Sequence, residues 1–182
     1  MNRFSSQLVF CSLHHILRRA VVEQNDNHVI TQIIQLDNQV AETSDTLFFD
    51  GILSSSVISL KQHLPEDDLL KLTQDYQYIN VGNFKTPIKL IPSEKPLILD
   101  FGTSEVTEIN LILLKIAGSL SNFTIFEIIA ACVYYPAMLL GKPTEMAVNS
   151  KSDLILWQNI DLVNKKITDL SKLINLSTFV NS

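Results

Sequence analysis

The chain has 182 residues, 46% of them hydrophobic and 18% charged, with a formal net charge of −5. That length suits one domain with a substantial core and falls short of the roughly 250 residues of a complete (β/α)₈ barrel. Five Gly, six Pro and a mean hydropathy of +0.20 exclude a disordered or low-complexity chain, and the acidic balance excludes the basic stripe of a nucleic-acid binder.

Residues 5 to 59 read as β. Gln7 to Cys11, Ile16 to Glu23 and His28 to Leu36 are short runs rich in β-branched and aromatic residues, and Gln24-Asn25-Asp26-Asn27 is a polar hairpin turn. Leu47 to Ile58 continues the pattern, with Asp50-Gly51 placed for a bulge. Pro65-Glu66-Asp67-Asp68 then opens a short helix through Leu72, its acids near the positive helix start. Beyond Tyr78, the residues Gly82, Pro87, Pro92 and Pro96 mark a loop with at most short strands, and Leu97 to Phe101 reads as a buried strand.

Two helices follow. Thr103 or Ser104 is placed to cap the first, whose Ile109, Ile112, Leu113 and Ile116 share one face. The second opens on a capping box, Thr124-Ile125-Phe126-Glu127, and is apolar almost all round, which predicts deep burial. Pro136 predicts a break or kink after Tyr135, and Gly141 a terminator. The stretch from Phe123 to Gly141 is as long as a membrane span but carries Glu127 and Pro136, so it reads as a core helix. Asp153 to Trp157 and Lys172 to Leu176 read as closing strands. β-rich ends around a helical middle predict that both chain ends pair in one sheet.

The residues with chemical potential are few. Cys11 and Cys132 sit in apolar runs and form no metal or disulfide pattern. His14-His15 reads as a turn or strand-edge pair at the surface, because strand neighbours point to opposite faces. His28 reads as a solvated residue beside a turn, and Ser54 to Ser56 with Ser59 as polar strand and turn. Trp157 reads as a core anchor and Tyr134-Tyr135 as packing. Asp100 ends a strand before Gly-Thr-Ser, an arrangement that either binds an anion at the helix start or satisfies itself there. The sequons Asn122-Phe123-Thr124 and Asn175-Leu176-Ser177 lack an export signal, and the N-terminal apolar run is soon broken by His14, His15, Arg18 and Arg19. The expectation is a cytoplasmic protein with no membrane and no nucleic-acid partner.

Three stretches resemble the amidohydrolase superfamily of metal-dependent hydrolases. Phe48-Phe49-Asp50-Gly51-Ile52-Leu53-Ser54-Ser55-Ser56-Val57-Ile58-Ser59-Leu60-Lys61-Gln62-His63-Leu64 is similar to its Gly-Ile-Ile-Ile-Pro-Gly-Phe-Val-Asn-x-His-x-His-Leu segment. Leu99-Asp100-Phe101-Gly102-Thr103-Ser104 resembles its Gly-Thr-Asp-Ser, and Tyr135-Pro136-Ala137-Met138-Leu139-Leu140-Gly141 its Asn-Pro-Ala-x-x-Leu-Gly. Lys151-Ser152-Asp153-Leu154-Ile155-Leu156-Trp157 resembles its Gly-Lys-x-Ala-Asp-Leu-Val-Leu-Trp.

The resemblance implies an α+β fold. Residues 1–182 would be a single composite domain, with a β-sandwich-like sheet built from both chain ends, 1–60 and 150–182. Residues 61–96 would stand in for the barrel, and 97–141 would supply a strand and helices as its remnant. It also implies a metal site whose ligand positions are Lys61, His63 and Ser104 in this sequence. One recognisable ligand remains, against the about three a catalytic site needs. About 35 residues between the halves leave no room for further barrel strands. The expectation is therefore no cofactor and no metal: a catalytically degenerate, non-enzymatic protein acting as a homodimer or through a protein partner. The alternative is a residual hydrolase or small-ligand binder using His63, Asp100 and Ser104. The homodimer expectation rests on Ile109, Ile112, Leu113, Ile116, Ile125, Ile129 and Val133, whose apolar faces would need covering.

Overall fold

A computed structural model describes residues 1–36, 45–82 and 90–176. Pro87 and Ser177, read above as a loop marker and part of a sequon, lie outside the described residues. The fold is α+β, built on a mixed six-stranded sheet in the order β3-β2-β1-β4-β7-β8. Its strands are β1 (Asn2–Ser12), β2 (His15–Gln24), β3 (Ile30–Gln35), β4 (Thr46–Ser55), β7 (Leu154–Gln158) and β8 (Lys172–Asn175). Strands β5 (Gln77–Asn80) and β6 (Leu97–Asp100) form a separate parallel pair. Both chain ends thus meet in one sheet, with β4 parallel to β1 and antiparallel to β7.

Ile52-Leu53 of β4 and Leu154 to Trp157 of β7 are buried apolar runs, because both faces of the sheet are covered there. Alternate residues sort into two cores: Ile52, Ile155 and Trp157 face the helices, while Leu53, Leu154 and Leu156 join Phe4, Val9 and Ile30 on the other side. Asp50 and Gly51 together oppose Gln7 of β1, so the expected bulge is present. Gly51 has φ +131°, and a Cβ there would run into the carbonyl oxygen of Trp157. Only glycine fits that close approach.

The turn after β2 is pinned to the lead-in of β7. Ile30 N–H donates to the Ser150 carbonyl at 2.9 Å, and Asn149 N–H to the Ile30 carbonyl at 2.8 Å. His28 is not simply solvated, as its place beside a turn suggested. Its Nδ1 is shielded and stands 2.9 Å from Asp153 Oδ1, at ion-pair distance but without hydrogen-bond alignment. The seam brings the side chain there because His28 adopts φ +61°.

Helix α1 (Glu66–Leu72) follows Pro65 as expected. Helix α2 (Val106–Ile116) starts later than its sequence suggests. Neither Thr103 nor Ser104 is its N-cap: that position is Glu105, with no side-chain cap, and Thr103 Oγ1 accepts from Glu105 N–H at 3.1 Å instead. The threonine oxygen closes a local turn two residues on, which competes with capping. Asn110 of α2 exchanges two hydrogen bonds with the Leu173 backbone, at 2.9 and 2.7 Å, and so covers the edge strand β8.

The capping box at Thr124 and Glu127 is formed and opens α3 (Ile125–Ile129). Helical bonding does not stop after Tyr135. It passes through one π turn (Ala130–Tyr134) into α4 (Tyr135–Leu139), with Tyr135 N–H donating to the Ala130 carbonyl. Pro136 has no N–H, so the carbonyl of Cys132 loses its helical donor. It accepts from Ile58 N–H at 3.0 Å instead, which ties the chain after β4 to the helix. The wide turn accommodates the proline where a regular turn would clash. Among the described residues no helix is long and apolar enough to cross a membrane.

The apolar faces that asked for a partner are covered by the chain itself. Ile109, Leu113, Ile116, Ile125, Ile129 and Val133 are buried and Ile112 is packed against them, so their covering does not require a second copy. Residues 60–78 also fold back: Leu60, Leu69 and Ile98 form a third core against Tyr135, Leu139 and Leu140. The premise failed because a sequence pattern shows which faces are apolar but not which segment returns to cover them.

Candidate functional site

After β4 the chain runs extended through Val57 to Ser59, then makes a 3₁₀ turn (Leu60–Gln62) with His63 at its C-cap. Leu60 anchors the turn in the core and leaves Lys61 and His63 exposed. Lys61 sends its backbone amide inward, donating to Asp100 Oδ2 at 2.7 Å. His63 Nε2 stands 3.1 Å from Lys142 Nζ, where the ammonium donates and the imidazole nitrogen accepts.

Asp100, at the end of β6, is fully buried. Its Oδ1 accepts from Ser59 Oγ at 2.7 Å and Gly102 N–H at 2.9 Å, and its Oδ2 accepts from Tyr78 Oη at 2.8 Å besides the Lys61 amide. Four donors fill the carboxylate, and none of them is a cation. Burial first, then the hydrogen bond and charge of Asp100, push the Tyr78 phenol well above its ordinary range, with Asn80 opposing. The phenol therefore remains a donor at any neutral pH. Ser104 stands exposed at the approach to α2, and no hydrogen bond joins it or His63 to Asp100 among the described residues.

No family model, curated protein or solved structure matches the chain.

The three residues singled out from the sequence therefore sit in three different settings. Asp100 is an internal hub, His63 is held by a lysine, and Ser104 faces solvent. Among the described residues no three His, Cys, Asp or Glu side chains lie close enough together to hold a metal ion. The donor chemistry does not fit one either: an ammonium occupies the free nitrogen of His63, and Asp100 has no lone pair left for a cation. The thiols offer no nucleophile. Burial, reinforced by Glu145, pushes Cys11 up to about 11, and burial alone pushes Cys132 higher, with its Sγ donating to the Ile128 carbonyl at 2.7 Å.

Sequence reasoning missed Ser59 and Tyr78 as partners of Asp100. A carboxylate ending an apolar strand implies donors, but the donors come from 41 and 22 residues away, and no local spacing marks them. Beside this hub lies a pocket of about 390 Å³ between the 3₁₀ turn, α1 and β5, with Lys61, Glu66, Leu70 and Tyr78 in its wall.

Proposed function

We propose that the chain is a catalytically degenerate relative of the amidohydrolases that works through association with a second copy of itself rather than by hydrolysis. The observation that carries this reading is the Lys142 ammonium on His63 Nε2 at 3.1 Å. His63 is the one imidazole at a ligand position of the resembled motif, and a cation at that distance opposes a metal there. Lys61 at the neighbouring ligand position adds a second positive charge, and Ser104 supplies no carboxylate. The sheet assembled from both chain ends and the parallel pair β5-β6 suit a composite sandwich with a barrel remnant. Self-association is supported by the outer face of α2, where Leu111 and Leu114, one turn apart, are 58% and 62% exposed. Two-fold pairing is the commonest way to cover such a face.

Two measurements test the reading. Metal analysis and assays on cyclic amides and aminated bases should find no stoichiometric zinc, iron or manganese and no turnover. A bound metal lost together with activity in His63→Ala would overturn the non-enzymatic half. Light scattering at micromolar concentration should give a mass well above the 20.5 kDa of one chain, and a Leu111→Arg/Leu114→Arg variant should return to that value. A concentration-independent single-chain mass for the unaltered protein would overturn the self-association half.

A further inference from the structure

The pocket beside Asp100 carries two opposite charges that the protein leaves unused. Lys61 and Glu66 both line it, yet they form no ion pair with each other, and neither side chain has a hydrogen-bond partner among the described residues. Their charged atoms are therefore more than 4 Å apart, and both side chains are exposed at the wall of a cavity of about 390 Å³. The remaining wall includes Leu64, Leu69 and Leu70, and Leu70 is 63% exposed.

The wall is also held in place. Asp100 Oδ2 fixes the Lys61 backbone at 2.7 Å and the Tyr78 phenol at 2.8 Å, so one buried oxygen positions two sides of the pocket. Pre-formed pockets of this size with an apolar floor and a few polar groups are the usual form of small-molecule sites.

We infer that this pocket binds a free apolar α-amino acid, with its carboxylate on Lys61, its ammonium on Glu66 and its side chain over Leu64, Leu69 and Leu70. A zwitterion is the small ligand class that uses both unpaired charges at once, and an apolar side chain covers the exposed leucine. A simple carboxylic acid leaves Glu66 unanswered, and a simple amine leaves Lys61 unanswered. The assignment stands on the pocket alone and does not depend on the resemblance to amidohydrolases or on self-association. Asp100 acts here as a positioning residue.

The test is calorimetric titration of the full chain with L-leucine, with N-acetyl-leucine and leucine amide as analogues that each lack one of the two charges. Saturable 1:1 binding is expected, at least tenfold weaker for either analogue. Lys61→Gln and Glu66→Gln should each weaken leucine binding at least tenfold. Both side chains are exposed, so their melting curves should match the unaltered chain and separate loss of binding from loss of fold. Absence of saturable binding up to roughly 10 mM, equal binding of the analogues, or unchanged binding by both variants would overturn the assignment.

Discussion

Glu23 in the sheet and Asp100 in the corner between β6 and the 3₁₀ turn are both buried carboxylates, at 3% and 0% exposure. Glu23 is answered by a charge: the Arg3 guanidinium lies 2.7 Å away on the directly opposing residue of the β1-β2 hairpin. Asp100 is answered by four neutral donors from Ser59, Lys61, Tyr78 and Gly102. The first pair follows from strand register and holds together two strands that are already paired. In the second set only Tyr78 comes from a strand paired with that of Asp100, and the carboxylate ties the 3₁₀ turn, 39 to 41 residues away, to that pair. The sheet would survive as a pattern without its ion pair, whereas the corner is organised by its carboxylate.

The largest expected effect comes from removing that carboxylate. Asp100→Ala leaves a buried hydroxyl, a phenol and two amides without an acceptor, and should destabilise the protein by about 4 kcal/mol in urea unfolding. A loss below about 1 kcal/mol would mean that the corner is held by its apolar contacts and that the comparison with Glu23 fails.

A smaller effect should follow on the sheet side. Arg3→Met leaves Glu23 buried with its charge uncompensated, but the site lies near the strand start and Arg3 is itself a third exposed. About 2 kcal/mol is expected, below the range for fully buried pairs. The same urea series measures it, and a loss equal to that of Asp100→Ala would erase the distinction between the two regions.

The smallest effect sharpens the chemistry of the corner. Tyr78→Phe removes one of four donors and should cost about 1 kcal/mol at neutral pH. The phenol's pKa is raised by folding, so the folded state keeps a proton that the unfolded chain releases above about pH 10. The stability that Tyr78 contributes is therefore complete below pH 10 and declines as pH rises towards its folded value. In unfolding measured from pH 8 to 12, the phenylalanine variant should show a shallower alkaline decline than the unaltered chain. Cys11 and Cys132, both raised by burial, contribute a decline of the same sign in both proteins.

Much of the fold was legible from the sequence because its signals are local. The turn at Asn25 to Asn27, the Asp50-Gly51 bulge, the Thr124 capping box and the Gly141 terminus each depend on residues within a few positions of one another. Gly141 adopts φ +63°, as a helix terminator requires. The run from Leu154 to Trp157 was legible as a strand from its β-branched and aromatic residues, and the structure buries all four. At Pro136 the local rule held, since the backbone bond is lost. The consequence changed because Ile58 arrives from the far side of the sequence to take the freed carbonyl.

The sequence shows most of the strands and helices, their turns and the pairing of both ends, because periodicity, capping and turn chemistry act over a few residues, but it did not single out the short strand β5. It also marked Asp100 as a residue whose burial needs an explanation. That Ser59, Tyr78 and the Lys61 amide supply it, that Lys142 meets His63, and that residues 60–78 cover α4 emerges only once the chain has folded. Those contacts bridge 22 to 79 residues. A hydrogen bond needs a partner within about 3 Å, and chain separation of that length leaves the partner open until the core has closed.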